Sequence, residues 1–256
     1  MRTRGTLVLL IAALAPLVAV AADPPAQAPP TGVWTGKGQV GFMASQGNSV
    51  AKSANAALAM AYLTGPWKHA LRFDLLYASS AGVTSAERWN ALWQSNYNFS
   101  SNLFAFGALQ YHHDLFDGFQ YQASGTAGIG YKVFDTKAIH LSVQVGAGYQ
   151  SERPEALVIS GGVVTSRTVL PRQGYAIGTA GLDYSQQLTS STTLSDTFSI
   201  QAGSVNSIMV NTLALAVKMS TRLALSLGYN IQDNTHPPAN VKSLDTVETV
   251  NLVYAF

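Results

Sequence analysis

Ile139-His140-Leu141-Ser142-Val143-Gln144-Val145-Gly146-Ala147-Gly148-Tyr149-Gln150 sets an apolar residue at every odd position and a polar residue or glycine at every even one. Successive side chains of a β-strand point to opposite faces, so this order gives one oily face and one wet face. A helix would scatter the same residues around its axis, and the stretch therefore reads as a strand. Neighbouring stretches repeat the order. Phe119, Tyr121, Ala123, Ala127, Ile129, Tyr131 and Val133 oppose Gln120, Gln122, Ser124, Thr126 and Lys132. Trp89, Ala91, Trp93, Tyr97 and Phe99 oppose Arg88, Asn90, Gln94, Asn96 and Asn98, and Leu223, Leu225, Leu227, Tyr229 and Ile231 oppose Arg222, Ser226, Asn230 and Gln232.

Turn-forming residues divide the chain into about twelve such stretches, near 34–45, 50–62, 67–79, 87–98, 102–112, 119–133, 138–150, 172–185, 192–202, 207–218, 222–232 and 243–256. Ambiguous parity in 172–185 and 207–218 leaves ten or fourteen strands open. Tight connections at Thr64-Gly65-Pro66, Ser100-Ser101-Asn102, Asp135-Thr136-Lys137, Thr189-Ser190-Ser191 and Ser220-Thr221 alternate with mostly longer ones at 80–86, 113–118, 151–171, 203–206 and 233–242. Only Gln46-Gly47-Asn48-Ser49 breaks the rhythm. Barrels that cross a bacterial outer membrane carry short periplasmic turns and longer external loops. The rhythm thus places both chain ends in the periplasm and the 151–171 and 233–242 loops outside. Within the first of these, Leu157-Val158-Ile159-Ser160-Gly161-Gly162-Val163-Val164 reads as a hairpin extended around Gly-Gly, the alternative being a plug folded into the barrel.

Arg2 and Arg4 precede an apolar run from Leu7 to Val20 that closes on small residues, the pattern of a secretory signal peptide over 1–22. The Pro/Ala-rich stretch 23–32 has no period and reads as a disordered periplasmic leader. Residues 33–256 then make one domain. Hydrophobic residues are 47% of the chain, yet no later run reaches the ~18 apolar residues of a membrane helix, so the apolar content is spread along strands. The absence of cysteine excludes disulfides, thiolate metal sites and lipid attachment through cysteine. Setting Arg2 and Arg4 aside leaves 13 of the 15 basic residues against 13 acidic ones, a balance that does not favour nucleic acid.

Together these features call for an all-β fold, an antiparallel up-and-down transmembrane β-barrel of about twelve strands. Closure removes the sheet edges that lipid does not tolerate. Trp34, Trp67, Trp89, Trp93, Tyr111, Tyr131, Tyr149, Tyr229 and Tyr254 fall near strand ends, as two interfacial girdles require. A soluble barrel would hold its apolar residues inside, and residue types alone do not say which face is in. The export signal and the last strand favour the membrane. That strand, Thr249-Val250-Asn251-Leu252-Val253-Tyr254-Ala255-Phe256, sets Leu252, Tyr254 and Phe256 on one face and resembles the sorting signal of outer-membrane barrels.

With the oily parity facing lipid, the polar parity lines the lumen, where Arg72, Asp74, Arg88, Gln94, Gln120, Gln122, Lys132, His140, Gln144 and Arg222 are expected. Charges of both signs in a narrow barrel pair across it, and this wall encloses less than the open channels of ~16–18 strands. His140-Leu141-Ser142 has the His-x-Ser spacing of outer-membrane phospholipase. Its face is the lumen and its end periplasmic, whereas a lipid hydrolase needs its nucleophile at the outer-leaflet rim. Tyr111-His112-His113-Asp114, with Asp117, brings imidazoles and carboxylates to the external rim, as in outer-membrane aspartyl-type proteases. Adjacent His side chains point to opposite faces, however, and cannot share a metal ion without a bend. No catalytic, cofactor-binding or metal-binding residue is assigned, and no cofactor is expected.

Gly47-Asn48-Ser49, Arg88-Trp89, Asp114-Leu115-Phe116-Asp117-Gly118-Phe119, Gly128-Ile129-Gly130-Tyr131 and the aromatic end, in that order, resemble the salt-induced outer membrane protein family, also described as domain of unknown function 481. The resemblance covers about residues 38–256, and its most specific piece is Asp-x-Phe-Asp-Gly-Phe followed by Gly-x-Gly-Tyr. In physical terms the motif glycines read as residues that permit positive φ at turns and the aspartates as turn caps. The resemblance implies location, fold and a loose stress-related role, with no established catalytic residues to transfer. The expected function is a non-enzymatic outer-membrane barrel, acting as a small channel or an envelope-stress component. A barrel enzyme of phospholipase or protease type is the alternative, and a soluble ligand-binding barrel the third. Expected partners are outer-membrane lipid and lipopolysaccharide, the Sec translocon and the barrel-assembly machinery during biogenesis, and the barrel is expected to be monomeric.

Overall fold

The computed structural model describes residues 32–45, 51–160, 163–237 and 241–256. The expected signal peptide and nearly all of the expected leader lie outside the described residues, as do Gly47-Asn48-Ser49 and Gly161-Gly162. The strands are β1 (Trp34–Ser45), β2 (Ala51–Thr64), β3 (Trp67–Ser80), β4 (Val83–Asn98), β5 (Leu103–Asp114), β6 (Phe119–Asp135), β7 (Ile139–Ser160), β8 (Val163–Val169), β9 (Gln173–Gln187), β10 (Thr192–Gly203), β11 (Ser207–Lys218), β12 (Leu223–Asn234) and β13 (Leu244–Ala255). All pairings are antiparallel. Of the 13 strands in the sheet, all but β8 form a ring that the β6–β7 pairing closes, which makes a twelve-stranded barrel. Strand β8 pairs only with the far part of β7, from Glu155 to Ser160. The hairpin expected around Gly161-Gly162 is therefore built as a continuation of the β7 wall.

The tight connections lie at the end that carries Trp34 and Ala255, called here the turn end, and the opposite end is the loop end. One connection differs from its expected form. Instead of a loop over 80–86, Ala81 and Gly82 alone join β3 to β4, with φ of 49° and 80°. Two consecutive positive φ values match the twist of the flanking strands, and Ala-Gly does not advertise this turn as Asn-Gly would.

Residues opposed across an antiparallel pair share a face, so one contact across the ring assigns a whole wall. Two such contacts carry the assignment. Gln201 on β10 donates to Gln110 on β5 at 2.9 Å, and Gln94 on β4 donates to Gln144 on β7 at 3.3 Å. The register then places Leu109, Ile129, Val145, Leu227 and Val250 on the outer wall, where each is more than half exposed at 51–61%. Glutamines and charged groups face inward. This is the reverse of a soluble barrel, and it suits a wall bathed in hydrocarbon.

Aromatic side chains form two bands on the outer wall. Trp34 packs on Tyr62 at 5.1 Å and Trp67 on Tyr97 at 5.0 Å near the turn end. Towards the loop end Phe73, Trp89, Tyr111 and Tyr121 follow one another across β3 to β6, with centroids 6.4, 4.8 and 5.9 Å apart. Such rings bury a flat apolar body while the polar tip stays wet.

The first and last strands meet in a short seam. Gly36 and Phe256 exchange backbone hydrogen bonds of 2.9 and 3.0 Å, and the ladder runs from Lys37↔Ala255 to Val40↔Leu252. Above Val40 no further β1–β13 pair occurs among the described residues, although both strands continue. Gly41 marks the break. Asn55 of β2 reaches over it to donate to Asn251 of β13 at 2.6 Å, a bridge that any side chain at Gly41 would obstruct.

Candidate functional site

The barrel interior is the candidate site, and its turn-end half rests on glycine. Gly128 and Gly130 of β6 oppose Phe106 and Phe104 of β5, and Gly146 of β7 lies beside them. A Cβ on Gly128 or Gly146 would stand 2.8 or 2.9 Å from the Phe106 ring, and one on Gly130 would collide with Phe104. The two rings are 4% and 6% exposed, laid flat on this floor. The Gly-x-Gly-Tyr motif is therefore required for the missing side chain inside a strand and not for positive φ. Of the glycines in the two most specific motif pieces, Gly118 alone has a positive φ, 78°.

Above this floor lie charged groups of both signs. Arg72 of β3 stands within electrostatic reach of Asp74 on its own strand, Asp183 of β9 and Lys37 of β1. The loop-end half is made of carboxamides. Gln201 donates to Gln110, which donates to Asn90 at 2.9 Å, so a relay of amides crosses from β10 through β5 to β4. Gln94 bonds both Asn96, at 2.9 Å, and Gln144. Beside the Gln201–Gln110 bond lies a cavity of about 70 Å³, lined by Gln122, Ser124, Gln150, Ser199 and Gln232 together with His112, Ile208 and Val210. One carboxylate sits behind this lining. Glu152 is 1% exposed and accepts from Tyr175 Oη at 3.0 Å, Gln122 Nε2 at 3.3 Å and Gln150 Nε2 at 3.5 Å.

The loop-end rim is organised by the Asp114–Phe119 segment. Asp114 Oδ1 accepts the Phe116 N–H and Asp117 Oδ1 the Phe119 N–H, two side-chain turns that fold the loop back on itself. The other carboxylate oxygens hold Arg88 at 3.2 Å and His112 at 3.4 Å. Burial raises the Asp117 carboxyl above its ordinary range, and the His112 imidazole beside it opposes that rise. Arg167 of β8 clamps the loop to the β7–β8 hairpin by donating to the Leu115 carbonyl and to Glu155 at 3.3 Å, with its guanidinium 5.8 Å from the Phe116 ring centroid.

The register places Arg72, Asp74, Arg88, Gln94, Gln122 and Gln144 on the inner face. Lys132 and His140 lie at the turn-end edge of that face, both against Asp135, at 3.5 and 2.8 Å. Gln120 falls in a bulge between Phe119 and Tyr121, where alternation no longer defines a face. Arg222 sits in the turn before β12, and its guanidinium reaches the Tyr254 phenol at 3.3 Å on the outer rim, away from the lumen. His112 and His113 diverge, the first to Asp117 inside and the second to the Gln120 carbonyl at 2.6 Å. His140 bonds Asp135, and no hydrogen bond joins it to Ser142 among the described residues. Nor do those residues contain three metal-ligating side chains in one place.

Sequence reasoning missed Gln110, Gln201 and Glu152, and the apolar interior residues Phe104, Phe106, Tyr175 and Ile177. For the glutamines a signal existed, since Gln110 shares the parity of His112 and Gln201 that of Ser199. For the rings none did, because they occupy polar parity.

The match to a known family covers residues 38–256, nearly the whole barrel, and the family is described as protein of unknown function, DUF481. The chain belongs to that family. No curated protein matches it. Among solved structures, the COG4313 outer membrane channel from Pseudomonas putida F1 is similar with a TM-score of 0.50 at 12% identity, over 92% of this chain and 100% of that one. The translocator domain of autotransporter NalP from Neisseria meningitidis has a TM-score of 0.48 at 15% identity over 87% of each chain. The NanC porin has 0.47 at 10% identity, over 88% of this chain and 99% of that one. At such identities the likeness is one of fold: this member of the DUF481 family is a barrel of the outer-membrane type.

Proposed function

We propose that this protein is a narrow, non-enzymatic diffusion channel of the bacterial outer membrane, monomeric, with both chain ends in the periplasm. The observation that carries the reading is a polar path along the inner face, from the Lys37–Arg72–Asp74–Asp183 group through Asn90 to the carboxamides near the loop end, beside the apolar Phe104, Phe106 and Ile177 and inside a wall whose outer residues are apolar. The described likeness to an outer membrane channel supports the same reading. The apolar outer wall and its two aromatic bands fit contact with membrane lipid and lipopolysaccharide, reached through the Sec translocon and the barrel-assembly machinery. A stress-related, salt-induced role fits a channel that is closed at rest. Swelling of liposomes that carry the refolded protein tests the proposal: influx of a small neutral solute is expected, and a folded barrel that admits none overturns it.

A further inference from the structure

We propose that the loop-end carboxamides form a gate that admits small uncharged, hydroxyl-bearing solutes and holds back ions, an inference that rests on the channel reading and names its solute class. The Gln201→Gln110→Asn90 relay crosses the lumen between strands that are not neighbours, so it obstructs the path. The Gln94–Gln144 bond makes a second bar nearer the turn end. The cavity left beside the first bar is small, about 70 Å³, so with both bars in place this is the shut state of the gate.

Its chemistry decides what can open it. Each carboxamide presents both an N–H donor and a C=O acceptor, and a hydroxyl group presents the same pair. A sugar or polyol can therefore replace amide–amide bonds one for one, leaving no buried polar group unpaired. An ion finds no such exchange. Three charged groups come near the first bar, and each is already engaged: His112 with Asp117, Glu152 behind Gln122, Gln150 and Tyr175, and Asp74 with the Asn90 amide that ends the relay. An ion passing the bars would shed its water among groups already bonded to one another, at a cost a hydroxyl does not incur. The charged groups on Arg72, Asp74, Asp183 and Lys37 are of mixed sign, so they add no strong preference for anions or cations.

The test is solute flux into liposomes containing the full chain, using sorbitol and gluconate, two six-carbon polyols that differ by one charge. Wild type is expected to pass sorbitol several-fold faster than gluconate. Gln110→Ala/Gln201→Ala should raise both fluxes several-fold and erase the difference between them. Gln201→Asn, one methylene shorter, keeps the amide and should raise sorbitol flux alone. Heat-modifiable mobility on gels reports folding of each variant, so that the conservative one carries the test should the double variant not fold. Equal sorbitol and gluconate flux in wild type overturns the gate, as does a conducting wild type whose fluxes ignore both substitutions. A folded wild type and folded variants that pass nothing overturn the channel reading itself.

Discussion

Gly130 and Phe104 show at single-residue scale how a short motif acts. Ring and glycine are complementary, so enlarging the glycine and truncating the ring are each costly, in different ways. Gly130→Val should lower stability by about 1–3 kcal/mol through overpacking against Phe104. Phe104→Ala should cost about 3 kcal/mol by leaving a void. The double variant should be less damaging than the sum of the two, because the void receives the new side chain. Urea unfolding in detergent micelles measures all three, and strict additivity would contradict the packing. Asp117 gives a pH-dependent counterpart. Its carboxyl is raised above 3.8, so the folded rim binds the proton more tightly than the unfolded chain. Acidification through the raised value therefore stabilises the rim through this group, and the gain is complete below 3.8. Asp117→Asn should abolish that dependence while keeping the Phe119 cap, whereas Asp117→Ala should lose the cap, worth about 1 kcal/mol. Proteolysis of the 114–119 segment across pH reads both effects.

Among the elements, the β7–β8 hairpin is where local sequence and tertiary contact divide the work. Alternation and a Gly-Gly pair made the hairpin legible, but nothing local showed that Arg167 would pin it to the Asp114–Phe119 loop, 52 residues earlier at Leu115. Arg167→Ala should expose residues 155–169 to protease with no change in the barrel's thermal transition. Arg167→Lys should rescue it only partly, because an ammonium can reach Leu115 and Glu155 but lacks the planar guanidinium that lies over the Phe116 ring. Protease resistance of Arg167→Ala equal to wild type would remove the clamp. The same division explains what the sequence did and did not reveal elsewhere. Strands with one oily parity, such as β4, β6 and β12, could be placed to within a few residues. On β9, Tyr175 and Ile177 fill the interior while Ala176 and Leu182 face out, so both parities are apolar and no pattern separates them. The amide bars depend on contact between distant strands, and only closure of the ring creates them. Arg222 was misplaced because alternation was extended one residue into a turn, where it no longer holds.

The whole molecule should behave as a folded barrel on gels, migrating differently before and after boiling, since closure through twelve strands must be undone for it to unfold. Its resistance will not be uniform around the circumference. Between β1 and β13 the described ladder has four residue pairs, whereas β6 and β7 share fifteen. Backbone amides that face the seam above Val40, such as those of Phe42 and Val250, should exchange hydrogen with solvent or headgroup water well before those of Ile129 or Val145. Equal protection on both sides would argue that the seam is zipped in the membrane. Asn55→Ala should widen the difference, since the Asn55–Asn251 bridge is the last polar tie over Gly41. The consequence is mechanical: a hoop with one thin weld does not shatter under strain but uncurls from that weld, so the earliest intermediate in heat or detergent should be a rolled-open sheet that keeps its other eleven joints.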